Sequence, residues 1–201
     1  MSVSLQPVSW QRMSNAIESV RLRLLRATQT LGAAGVPYAV VGGNAVAAWV
    51  SRVDEAAVRN TRDVDLLLRR EDLPLAIVAL EAVGFFHRRV ASLGKATSMD
   101  VFLDSADGKV RDSVHVVFAL ERVLPDQPEA NAAVDESEDA GDFRVITLEA
   151  LVRMKLSAFR DKDRVHLRDL ISVGLIDDEW LSRFTEPLRG RLQEILDSPE
   201  G

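Results

Sequence analysis

The chain is expected to adopt an α/β (α+β) fold, and three observations lead there. Short apolar runs of strand length alternate with longer segments of helical periodicity. Glycine, proline and acidic clusters separate them where a chain must turn. The final third, from about Thr147, reads as helix throughout. With 201 residues, 47 % of them hydrophobic, there is enough apolar surface to bury a full core. The expected organisation is a main domain over residues 1–146, opened by a helix, with residues 147–201 as a helical region packed on it. No internal repeat is present.

Taken in order, Trp10 to Leu31 places Ile17, Val20, Leu22, Leu24, Leu25 and Leu31 among polar residues, an amphipathic helix closed by Gly32 and Gly35. "YAVVGG" is a short strand ending in two glycines, followed by the alanine-rich helical stretch "NAVAAWVSRV" and the polar connector "DEAAVRNT". "TRDVDLLL" is a second strand. "REDLPLAIVALEAVGF" is a helix with Pro74 in its first turn and Gly84 as its stop. "SMDVFLD" and "DSVHVVFA" are strands joined through a hairpin turn at Asp107-Gly108. The acidic stretch from Pro125 to Asp142 lacks periodicity and is expected to be a solvated loop or linker. "FRVIT" is a further strand. One helical run then extends from an N-cap at Thr147 to Gly174, and two short helices follow around Asp178–Phe184 and Pro187–Leu196.

Composition removes several classes of function. With 25 basic and 31 acidic residues the net charge is −6, a poor basis for binding duplex DNA. No cysteine is present, so thiol chemistry and zinc-thiolate sites are excluded. The N-terminus has no apolar core of signal-peptide length and no stretch is long enough to span a membrane, so a soluble cytoplasmic protein is expected. His87, His115 and His166 lack metal-binding spacing, and no G-x-S-x-G occurs. Trp10, Trp49 and Trp180 are expected to be packing residues.

Two motifs carry chemistry. In "VVGGNAV", consecutive glycines between strand and helix leave amide N–H groups pointing outward at a helix start, which favours a phosphate; a Gly-Gly turn is also a common tight connection. Asp63 and Asp65 sit two apart on a strand, hence on one face and roughly 6.5–7 Å apart. Hard divalent cations take carboxylate oxygens together with substrate phosphates, so such a pair can hold one or two ions over a triphosphate; the alternative is a solvated edge pair. Further along, Arg153, Lys155, Arg160, Lys162, Arg164 and Arg168 concentrate positive charge, expected to pair with Asp161, Asp163 and Asp169 on a solvated face. Lys155, flanked by Met154 and Leu156, either snorkels to water or aims at an anion.

"VVGGNAVAAW" followed by "TRDVDLLL" resembles the signature of the nucleotidyltransferase (polymerase-beta-like) superfamily, and "LEALVRMKLSAFRDKDRVHLRDL" resembles the helical motif of its AbiEii-like toxin branch. The resemblance spans roughly Tyr38 to Leu170 and implies a nucleotidyltransferase fold with a mixed central sheet and a helical C-terminal region lining a cleft. It implies that Gly42, Gly43, Asn44 and Lys155 serve the nucleotide, that Asp63 and Asp65 bind Mg2+ (two ions possible), and that Arg160 and Lys162 are substrate contacts, with Asp163 on the same surface. The implied reaction joins a nucleotide from an NTP to a hydroxyl acceptor on RNA (a tRNA end included), a protein or a small molecule. An alternative is an inactive fold member that binds a nucleotide or a partner protein; a toxin-antitoxin component is compatible with both. Two departures from the family pattern stand out. The position of its third carboxylate is matched by His115, unless Asp100, Asp104 or Asp112 supplies the acid. The stretch between Gly43 and Asp63 is long and is expected to reshape the cleft mouth.

Overall fold

The computed structural model describes residues 7–91, 98–123 and 125–198. In chain order these form α1 (Trp10–Ala33), β1 (Tyr38–Val41), α2 (Gly42–Ser51), β2 (Val64–Leu68), α3 (Leu73–Ala82), β3 (Phe86–Ala91), β4 (Ser98–Leu103), β5 (Val114–Phe118), β6 (Ser137–Asp139), β7 (Arg144–Ile146), α4 (Leu148–Ala158), α5 (Asp161–Ser172) and α6 (Leu188–Asp197). The strands make one mixed sheet in the order β3-β4-β5-β2-β1-β7-β6. Its centre is parallel where β2 meets β5 and β1 meets β7, and antiparallel where β1 meets β2.

Strand alternation sorts the core into two layers. Tyr38, Val40, Leu66, Leu68, Val114 and Val116 pack on the side of α1 and α3, with Leu24, Leu31, Leu80 and Phe85. Ala39, Val41, Leu67 and Val145 face the other side, against α2, α4, α5 and α6. Asp65 lies between Val64 and Leu66, which face α1 and α3, so its side chain falls with Leu67 on the α2/α4/α5 face. The central strands are buried on both faces, which is why they read as apolar runs.

The sequence reading needs correction in five places. β3 has mostly exposed residues and is an edge strand, so it carries no apolar alternation to betray it. β4 and β5 pair antiparallel and the chain turns at Ser105–Gly108 as expected, but the connection is longer than a tight hairpin: Asp104 pairs with Arg23 and Arg26 of α1, and a 3-10 turn, Val110–Asp112, precedes β5. The acidic stretch contains β6, which pairs with β7; Ala132 and Val134 are buried, and Asn131 Nδ2 donates to the Phe118 carbonyl. The helical run from Thr147 breaks at Phe159, whose φ of 47° is left-handed. Trp10 is 80 % exposed, because the first turns of α1 reach beyond the sheet; Trp49, by contrast, donates to the Ile146 carbonyl and Trp180 is buried.

Candidate functional site

The site is assembled where β1 and β2 run side by side. Val41 is the register partner of Asp65, and the chain turns into α2 at the next residue, Gly42. Gly42 has φ +67°, and a Cβ there would lie 2.0 Å from Asp65 Oδ2. The glycine is therefore needed twice, for the turn and for the space its missing side chain leaves to the carboxylate. A Cβ at Gly43 would come within 3.0 Å of Thr61. No side chain caps α2, so its first amides are left for solvent or ligand at the positive end of the helix.

Asp63 is clamped by three neighbours. Thr61 Oγ1 donates to Asp63 Oδ1 at 2.6 Å, and Asn44 Nδ2 donates to the Asp63 carbonyl at 2.7 Å. Arg23, buried on α1, donates to the adjacent Arg62 carbonyl while paired with Asp104. Asn44 is thus placed behind the aspartate, fixing its backbone.

His115 stands beside Asp65 on the neighbouring strand, as register partner. Its Nδ1 lies 3.7 Å from Asp63 Oδ2 and 3.6 Å from Asp65 Oδ1. Nε2 faces the Val110 carbonyl at 2.7 Å. A carbonyl can only accept, so Nε2 carries hydrogen and Nδ1 is the atom free to bind a proton or a metal. The three residues can each offer one ligand atom, all within 4.8 Å of one another. Burial would lower the His115 pKa, but Asp65, Val110 and Asp63 outweigh it and raise it. Burial would raise Asp65; contact with His115 and the charges of Lys162 and Lys155 bring it below the usual carboxylate range. The other candidates for a third acid are engaged elsewhere. Asp100 is buried with His87 and Arg89, Asp104 is held by Arg23 and Arg26, and Asp112 lies in the 3-10 turn rather than on the strand.

The opposite wall comes from the broken helix. Phe159 ends α4, its N–H returning to the Lys155 carbonyl, and the Arg164 and Arg191 guanidiniums lie over its ring. At the start of α5 the Arg160 backbone N–H and guanidinium both donate to the Asp163 carboxylate, while the Asp163 N–H donates to the Arg160 carbonyl. The kink carries Asp163 back to Lys155 Nζ, at 3.1 Å, with both side chains almost wholly buried. Burial pushes Lys155 below the ordinary lysine range against the opposing pull of Asp163 and Asp65. Burial alone would raise Asp163, yet Arg160 and Lys155 hold its carboxyl low. Lys155 therefore neither snorkels nor stands free; it is a buried ion-pair member at the cleft wall. Within the basic run Lys155 and Arg160 pair with Asp163 as expected, whereas Arg153 meets Glu136, Arg164 meets Glu194, and Asp169 meets Arg59. These last partners are distant in sequence, so helix spacing could not show them.

Gly42, Gly43, Asp63, Asp65, His115, Lys155, Arg160 and Lys162 all line one cleft of about 600 Å³. The loop between α2 and β2 supplies Arg59, Asn60 and Thr61 to its mouth, and the acidic stretch supplies Gln127 and Asn131 to its wall. His166 also reaches the cleft. Burial, then the nearby Lys155, lower its pKa to about 4, and its Nδ1 is buried without a hydrogen-bond partner among the described residues. Nothing in the spacing of His166 marked it. It stands one helical turn after Lys162 on α5, and the two share the face of that helix that lines the cleft.

The mixed sheet, with paired aspartates at the mouth of a glycine turn and helices on both faces, is a nucleotidyltransferase fold. Among solved structures, the crystal structure of ANT(2'')-Ia in complex with adenylyl-2''-tobramycin is similar at TM-score 0.51 and 18 % identity, over 88 % of this chain and 98 % of that one. ANT(2'')-Ia in its solution structure (TM-score 0.47, 17 % identity, 94 % of this chain and 96 % of that) and JHP933 from Helicobacter pylori (TM-score 0.46, 18 % identity, 94 % and 75 %) are further neighbours. At such identities the likeness is one of fold. No protein-family model and no curated protein matches the chain. Among the described residues, no helix is long and apolar enough to cross a membrane.

Proposed function

We propose that this protein transfers a nucleotide from an NTP to a hydroxyl acceptor with the help of a divalent cation. The observation that carries the reading is the convergence of Asp63, Asp65 and His115 with the uncapped start of α2 in one cleft. The donor set suits a hard divalent cation: the two carboxylates are ligands that suit magnesium and manganese alike, and the imidazole is a softer third donor. Bound there, the ion would offset the repulsion of the two aspartates and the charge of the phosphates.

The chain's own groups account for the rest. The amides of Gly42 and Gly43 and the cations Lys155 and Lys162 bind and orient the triphosphate. His115, deprotonated at Nδ1, takes the proton of the acceptor hydroxyl. The hydroxyl oxygen bonds to the α-phosphorus as the bond to the β-phosphate oxygen breaks, and pyrophosphate leaves. His115 cannot ligate and accept that proton with the same lone pair, so it holds one of the two roles. Arg160 and Lys162 are offered as substrate contacts, and residues 147–201 as the region that walls the cleft. The resemblance of "LEALVRMKLSAFRDKDRVHLRDL" supports the AbiEii-like branch and, with it, a toxin-antitoxin role in the cytoplasm, the acceptor hydroxyl belonging to RNA, a protein or a small molecule.

One observation favours a second reading, a fold member that binds nucleotide or a protein without turning it over: an imidazole stands in the third position and already faces both aspartates. Incubation with each labelled NTP, magnesium or manganese, and pools of RNA or small hydroxyl compounds separates the two. Pyrophosphate release that disappears in Asp65→Asn supports transfer. Metal-dependent NTP binding with no release in any pool supports the second reading.

A further inference from the structure

We propose that Arg70 and Phe118 form a stacking seat for the flat ring of a nucleobase; this rests on the nucleotidyl-transfer reading and specifies where a substrate ring lies. Arg70 follows β2 and Phe118 ends β5, in the register that also sets Asp65 beside His115. Phe118 lies three positions after His115, about 10 Å along β5, with its ring turned to the α1/α3 face at the end of the strand.

The Arg70 guanidinium carbon lies 3.7 Å from the centre of the Phe118 ring. Its Nε and a terminal nitrogen donate to the two carboxylate oxygens of Glu121, at 2.5 and 2.7 Å. The fork that could clasp a phosphate is therefore occupied, and Glu121 offsets the charge. What remains on offer is a flat, immobilised face. Arg70, Phe118 and Glu121 all line the cleft, and the Arg70 side chain is 53 % exposed. A guanidinium plane held this way stacks on a ring of either base class without reading its edges. The ring can belong to the NTP or to an acceptor that carries one. The glycine turn lies on the β1 side of the aspartates, and His115 with the seat on the β5 side.

The test titrates wild type, Arg70→Ala and Arg70→Lys with magnesium tripolyphosphate, with magnesium ATP, and with adenosine added over a saturating α,β-methylene analogue of ATP. Tripolyphosphate is expected to bind all three proteins equally, which also shows the variants to be folded. The ring-bearing probe is expected to lose about tenfold in both variants, because lysine restores the charge without the plane. A loss confined to ATP assigns the seat to the donor base, and a loss confined to adenosine assigns it to the acceptor. Unchanged affinities, an equal loss for tripolyphosphate and ATP, or rescue by lysine overturns the seat and leaves nucleotidyl transfer standing. A wild type that binds neither tripolyphosphate nor ATP overturns both.

Discussion

At Gly42, backbone geometry and chemistry meet in one residue. An alanine there must adopt a left-handed φ, costing about 1–2 kcal/mol, and its Cβ would displace the Asp65 carboxylate, 2.0 Å away. Gly42→Ala is expected to lower stability by about that amount in denaturant titration and to cut turnover by about 10²-fold, the usual cost of misplacing a reacting group by an ångström. His115 offers a complementary prediction. His115→Asp gathers three carboxylates within a few ångströms of one another, so the metal-free protein loses stability while magnesium affinity rises. Thermal unfolding in magnesium and in EDTA should show a Tm gap several degrees wider than wild type, at about 2–4 °C per kcal/mol. An unchanged gap would mean that position 115 does not touch the ion.

The break between α4 and α5 decides the shape of the cleft wall. Arg191 of α6 donates to the Leu156 and Ser157 carbonyls, which the helix end leaves without partners. Arg191→Ala is expected to cost about 1–3 kcal/mol, read as a lower urea midpoint at unchanged m, with weaker NTP binding as Lys155 loses its fixed place. Elements differ in how much of this was readable in the chain. The glycine turn and the Asp63-x-Asp65 strand were legible because each is a local pattern with a local cause. The break at Phe159 was not, since "LSAFRDKDRV" contains neither glycine nor proline; the cause lies in long-range partners, Arg191 above all. Edge strands β3 and β6 were hidden for the opposite reason, as their polar faces meet water and leave no period-2 signal. The family resemblance matched His115 to the third position, and the structure sets it beside both aspartates, while Asn44 turned out to hold the Asp63 backbone.

On the scale of the whole molecule, the buried Lys155–Asp163 pair ties α4 to α5 at the cleft wall and links stability to pH. The folded-state pKa of Asp163 is depressed. Its contribution is therefore present above the unfolded value near 3.9 and is lost as pH falls through the folded value. Wild type should weaken on the acid limb below about pH 4, and Asp163→Asn should flatten that limb. The same substitution leaves Lys155 buried without its anion, at a cost of about 3–5 kcal/mol at neutral pH. The two-layer core was legible in outline, because apolar strands buried on both faces announce a sheet covered by helices. Which strands neighbour each other was not, because β5 joins β2 across more than forty residues of intervening chain.

The central claim is that Asp63 and Asp65 hold a divalent cation over a triphosphate. Isothermal titration of the purified protein with each NTP, with and without magnesium, beside the Asp63→Ala/Asp65→Ala variant, tests it most directly. The account predicts magnesium-dependent binding of at least one NTP that vanishes in the variant. Equal binding by both proteins, or none by the wild type under any condition, would contradict it.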